Sequence, residues 1–135
     1  MTMDSQDKHP YKNHRFSQAF GHAMAGFWAA LKSERNLRFH CTAGIVVVLA
    51  GFFFHLTSNQ WSWILLAIAL VIAAELSNTA IEEAVDAAVG HHYDPHAKKA
   101  KDVAAAVVVV CACFAVVVGL IIFLPAIMQW WKQME

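Results

Sequence analysis

Charge is scarce in this chain, and what there is cancels. Ten basic and ten acidic side chains among 135 residues leave a formal net charge of zero. No basic field therefore invites nucleic acid, and no helix-turn-helix or RNA-binding motif occurs. Glycine-rich phosphate cradles are missing too. Neither GxxxxGK[ST] nor GxGxxG is present, so any bound phosphate must be held by Lys, Arg or Mg²⁺ rather than by a backbone loop. Cysteine is limited to Cys41, Cys111 and Cys113, all inside apolar runs. "CAC" has neither the spacing nor the histidine partners of a zinc site, which leaves the three as small buried hydrophobes. No cleavable signal is evident, because the first apolar run opens only at Cys41, and the chain is expected to insert whole.

What the sequence has instead is apolar surface. At 59% hydrophobic and 15% charged it is too greasy for an ordinary soluble domain of this size, and it reads as a one-domain, all-α membrane protein. Residues 1–14 form a polar tail, and a single membrane domain covers 15–135. From Arg15 to Leu31, Phe16, Phe20, Ala23, Met24, Phe27, Trp28 and Leu31 recur at spacings of three and four, which predicts an amphipathic helix in the membrane surface. The other reading of that stripe is a helix packed on the protein's own core.

Three membrane spans follow. "CTAGIVVVLAGFFFHL" is short of the roughly 20 residues a bilayer requires, so "NLRF" extends it and the span covers about 37–56. "TSNQ" reads as a tight turn. Trp61 then opens a helix that meets no Pro or Gly until Gly90, about 43 Å at 1.5 Å per residue. Gly90 and Pro95 in "GHHYDPHAKKAKD" read as stop signals, and the third span covers about 100–128. Lys8, Lys12, Arg15, Lys32, Arg35 and Arg38 precede the first span, and Lys98, Lys99 and Lys101 follow the second. The turn between those spans has no Lys or Arg. By the positive-inside rule the N-terminus is cytoplasmic, which gathers Trp61, Trp63, Trp130 and Trp131 at the outer interface.

The stretch "AAELSNTAIEEAVD" breaks the apolar pattern. Counted from Trp61, Glu75 lies about 21 Å deep and Glu82 about 31 Å, against a hydrocarbon core about 30 Å thick. Glu75, Asn78, Thr79, Glu82 and Asp86 share about a third of the helix circumference, a polar stripe running from lipid to water. An ionisable group at membrane depth marks a function or a partner. Glu75 suits proton transfer, as a general base. Glu82, nearer water, suits Mg²⁺, which takes one or two protein carboxylates together with phosphate oxygens. Glu34 in "LKSERNLRFH" is either a second carboxylate at that level or an ion pair with its neighbours. Lys101 either offsets phosphate charge or snorkels as an anchor. Asp102 is unusual in so basic a run, and Glu83 lies to the side of the stripe. His91, His92 and His96 match no standard zinc spacing and read as solvated loop histidines.

"ELSNTAIE", Glu75 to Glu82, resembles the E-x-x-N-[ST]-A-I-E motif of the small bacterial membrane kinases that include prokaryotic diacylglycerol kinase and the undecaprenol kinases. The resemblance continues in Asp86 and in "AKD", Ala100 to Asp102, and covers about Arg15 to Pro125. "ERNLRFH", Glu34 to His40, looks more like the undecaprenol kinase branch. The resemblance implies an N-terminal surface helix plus three spans in a homotrimeric bundle whose subunits share sites in the bacterial inner membrane. It further implies transfer of phosphate from ATP, with Mg²⁺, to a lipid alcohol. Undecaprenol is the expected acceptor and diacylglycerol the alternative. The roles it implies are Glu75 as base, Glu34 and Glu82 as metal ligands, and Arg15, His22, Glu34, Glu82, Lys101 and Asp102 around the nucleotide. Arg15, Asn78, Glu75 and Asp86 are expected either to meet the lipid substrate or to support the site. Ala106 stands where the family usually has Gly, Ser77 where it has Leu, and the loop after Asp86 is one residue longer. Two rivals from other classes are a proton- or cation-coupled transporter and a structural oligomer whose acids merely pair. A transporter predicts acids along the whole path, and the outer half of each span has no ionisable residue except His55.

Overall fold

The computed structural model describes residues 16–90 and 92–135. The polar tail, Arg15 and His91 lie outside the described residues. Four helices follow one another: α1 (Phe16–Ser33), α2 (Arg35–Phe53), α3 (Ser58–Val89) and α4 (Pro95–Lys132). The last three are long and apolar enough to cross a membrane. α3 is the central element, packed along α4 on one side and α2 on another, while α1 leans on α2 and α3.

Each boundary has a local cause. Glu34 adopts an extended conformation between α1 and α2. Arg38 Nη1 reaches back to donate to the carbonyls of Leu31 and Lys32 at 3.1 and 2.7 Å, placing a cation on the negative end of α1. "TSNQ" is not a free turn. Thr57 and Gln60 form a reciprocal capping box, so α3 starts at Ser58, three residues before Trp61. Pro95 likewise starts a helix rather than stopping one. Asp94 Oδ1 accepts from the N–H groups of His96 and Ala97 at 2.7 and 2.9 Å, and Pro95 takes the first helical position, where it has no N–H to waste. α4 also passes through Pro125 and runs on to Lys132, beyond the expected end of the span.

The apolar stripe expected on α1 divides in two. Phe16, Phe20, Met24 and Trp28 are exposed at intervals of four, and Ala30 is the buried residue of the helix. α1 thus rests on α2 and α3 through little more than Ala30 and leaves an apolar row uncovered. The cysteines are corrected in the same sense. Cys41 and Cys111 are half-buried and Cys113 is exposed, because the chain alone covers few side chains along its spans.

α2 and α3 run antiparallel, and two glycines set their approach. A Cβ on Gly51 would stand 2.8 Å from the Trp61 ring, and one on Gly44 would stand 3.3 Å from Ile68. Small residues at such a seam let backbones close up. The register moves seven residues back along α2 for seven forward along α3, and one further step sets Leu37 level with Glu75. At the tryptophan end, Leu56, Ile64, Ala67, Val118 and Ile122 form the main apolar cluster. Phe53 meets Trp130 and Phe54 meets Phe123 edge-on, each at 6.1 Å.

Candidate active site

The seam between α2 and α3 carries Glu75 into the protein. Glu75 is 3% exposed, the one charged residue that is buried among the described residues, and Leu37, at the same level of α2, is buried completely. Its Oε1 lies 3.2 Å from His40 Nε2, but without the alignment of a hydrogen bond, so Oε1 has no hydrogen-bond partner among the described residues. Glu34, from the α1–α2 junction, and Glu82, two turns along α3, are near enough for their charges to act on it.

The polar stripe is partly wired together. Asn78 Nδ2 donates to Glu82 Oε1 at 2.7 Å, while Asn78 Oδ1 is buried without a hydrogen-bond partner among the described residues. Thr79 turns inward on its own helix and donates to the Glu75 carbonyl at 3.1 Å. Ser77, where the family motif usually has Leu, does the same with the Ala73 carbonyl at 2.8 Å, which satisfies its hydroxyl within α3. Glu34 is half-buried and makes no ion pair among the described residues, so it is not spent on Lys32 or Arg35.

Asp86 and Lys101 join the ends of α3 and α4 through a 2.5 Å contact. Both line an open groove of about 330 Å³ formed with Val89, Tyr93, Ala97 and Lys98. Asp102 pairs instead with Lys98, one turn away on α4. A second groove, about 510 Å³, lies between α1 and α3 and is lined by Phe27, Ala30, Ser33, Thr79, Ala80 and Glu83. His22 is exposed on α1 and makes no hydrogen bond or ion pair among the described residues. No set of three or more His, Cys, Asp or Glu side chains converges tightly enough among the described residues to hold a metal unaided.

A buried carboxylate followed along one helix face by an amide and further acids, with a lysine anchored opposite, is suited to moving a proton beside a polyanion. The family model for prokaryotic diacylglycerol kinase matches residues 21–123. The chain belongs to that family. It is 43% identical over 123 residues to undecaprenol kinase of Bacillus subtilis, covering 91% of this chain and 98% of that one. It is 39% identical over 111 residues to a diacylglycerol kinase of Synechocystis, covering 82% and 63% respectively. A diacylglycerol kinase of Pseudomonas aeruginosa is 30% identical over 92 residues, covering 68% and 74%. The chain is thus a membrane lipid kinase that uses ATP, which sets aside the transporter and the structural oligomer.

Within the kinase, sequence reasoning passed over His40 as a site residue. Its signal was present, because His40 lies three residues after Leu37 and four before Gly44, on the face of α2 that the two glycines press against α3. Glu83, which lies to the side of the polar stripe, lines the groove under α1.

Proposed function

We propose that the kinase transfers the γ-phosphoryl group of ATP to the terminal hydroxyl of undecaprenol at the cytoplasmic face of the bacterial cytoplasmic membrane. The acceptor rests on the 43% identity to an undecaprenol kinase along nearly the whole of both chains. Diacylglycerol is the second acceptor, on the more distant relatives. The cytoplasmic placement of the charged end rests on the lysines and arginines that flank the spans there.

The observation that carries the mechanism is the buried carboxylate of Glu75, whose Oε1 has no hydrogen bond among the described residues and only His40 beside it, at 3.2 Å. An acid at that depth marks a function or a partner, and an imidazole is compatible with a carboxylate that takes up protons. Glu75 takes the proton of the lipid hydroxyl as the oxygen attacks. Glu34 and Glu82 fit a metal shared with a nucleotide better than a protein-only site. They are two carboxylates, one free of ion pairs and the other steadied by Asn78, and Mg²⁺ commonly completes its shell with phosphate oxygens and water. Held there with ATP, the ion would offset phosphate charge. Lys101, presented from the groove at the α3–α4 junction, adds a positive charge where the phosphoryl group departs, with Asp102 beside it. Arg15 and His22 extend the nucleotide's surroundings from the surface helix. Asn78 and Asp86 hold Glu82 and Lys101 in place. Trp28 and the exposed edge of α1 keep the headgroup layer over the site. The largely uncovered spans suit a homotrimer in which neighbouring subunits complete each site.

The test is phosphate transfer from labelled ATP by purified protein in mixed micelles, with undecaprenol and diacylglycerol side by side. Mg²⁺-dependent labelling that favours undecaprenol is the expected result. Labelling of neither lipid removes the proposal, and a strong preference for diacylglycerol reverses the acceptor.

A further inference from the structure

We infer that His40 returns Glu75 to its working state after each turnover, by accepting the proton that Glu75 takes from the lipid. The inference rests on Glu75 being the base. The Glu75 side chain is 4% exposed, while His40, 3.2 Å away, is 22% exposed. A base buried to that degree has little water to take its proton, and Oε1 has none, whereas the imidazole lies against Oε1 and reaches the accessible surface. The other charges that act on Glu75 are Glu34 and Glu82, and as the carboxylates proposed to hold the metal they are poor exits for a proton.

The step balances. The lipid O–H bond breaks and its proton goes to Glu75. The lipid oxygen bonds to the γ-phosphorus, and the bond to the ADP oxygen breaks with its electron pair leaving on ADP. The Glu75 proton then passes to Nε2 of neutral His40, which restores the carboxylate. The imidazolium gives that proton to water on its exposed side. Oε1 faces His40, which leaves Oε2 for the acceptor hydroxyl. At 3.2 Å the two atoms are within hydrogen-bonding distance, and alignment is what the contact lacks.

The experiment compares the first and later turnovers of full-length protein in undecaprenol micelles. His40→Ala is expected to phosphorylate about one lipid per site at the unsubstituted rate and then slow by at least about tenfold, the lower range for a lost acid–base function. Its KM values for MgATP and lipid should stay within about twofold, since uniform binding is untouched. Added imidazole should restore the later turnovers in His40→Ala but not in Glu75→Gln. His40→Gln, which keeps bulk and hydrogen bonding but carries no proton, should remain slow. A first turnover as slow as the rest, recovery by His40→Gln, a rise in KM alone, or no change would each overturn the inference. Failure of the unsubstituted protein to label lipid would instead remove the proposed function on which it rests.

Discussion

Lys101 Nζ donates to Asp86 Oδ1 at 2.5 Å, joining α4 to α3 across the loop between them. Both side chains are partly open to solvent, 35% and 58%, so the pair adds at most about 1 kcal/mol to stability. Its effect lies in where it holds the ammonium. Asp86→Asn should leave the thermal midpoint in micelles nearly unchanged and raise the KM for ATP several-fold, with Lys101→Ala more severe in the same direction. Equal KM values for Asp86→Asn and the unsubstituted protein would show that Lys101 needs no such support.

Glu75→Gln should abolish phosphate transfer while nucleotide binding survives, because it removes a proton acceptor and leaves Glu34, Glu82 and Lys101 in place. Binding of a non-hydrolysable ATP analogue, measured beside the transfer assay, separates the two effects. Loss of binding with residual transfer would show that Glu75 serves the nucleotide instead.

For Glu82 the expectation runs the other way. Glu82→Gln should weaken MgATP binding. Asn78→Ala should follow it by a smaller step, because the 2.7 Å bond that fixes Glu82 Oε1 is lost. Hydrogen bonds to charged groups contribute about 1.5–3 kcal/mol, roughly tenfold or more in affinity if the whole bond is used in binding. Titration with the analogue at fixed Mg²⁺ gives the comparison.

The α2–α3 seam offers a stability test that does not involve the chemistry. Gly51→Ala drives a methyl against the Trp61 ring and should destabilise the fold by about 1–3 kcal/mol, as overpacking does. Gly44→Ala meets only the flexible Ile68 side chain at 3.3 Å and should cost less, and Gly119→Ala, with nothing within 4 Å, should cost nothing. Thermal unfolding in one detergent would rank the three, and the reverse order would mean that α2 and α3 are packed in another register.

Spans and acids could be read from the sequence because a bilayer punishes exceptions. An apolar run that contains Glu75 draws attention to itself, and its distance from Trp61 gives a depth. Helix starts were harder. Thr57 with Gln60, and Asp94 before Pro95, each satisfy backbone groups that a hydropathy pattern does not register, so α3 and α4 begin earlier than the apolar residues suggest. Partners across helices were hardest. The pairing of His40 with Glu75, or of Asp86 with Lys101, depends on the α2–α3 register and on the bend of a loop, and single-chain periodicity specifies neither. Asp102 shows the limit, since its neighbour Lys98 was as available by spacing as any nucleotide.

α2 and α4 make no close backbone approach, and the ring contacts Phe53–Trp130 and Phe54–Phe123 join them at the tryptophan end. Away from those rings α3 is the one helix that both α2 and α4 pack on, so the faces of α2 and α4 that look toward each other are left to whatever surrounds the chain.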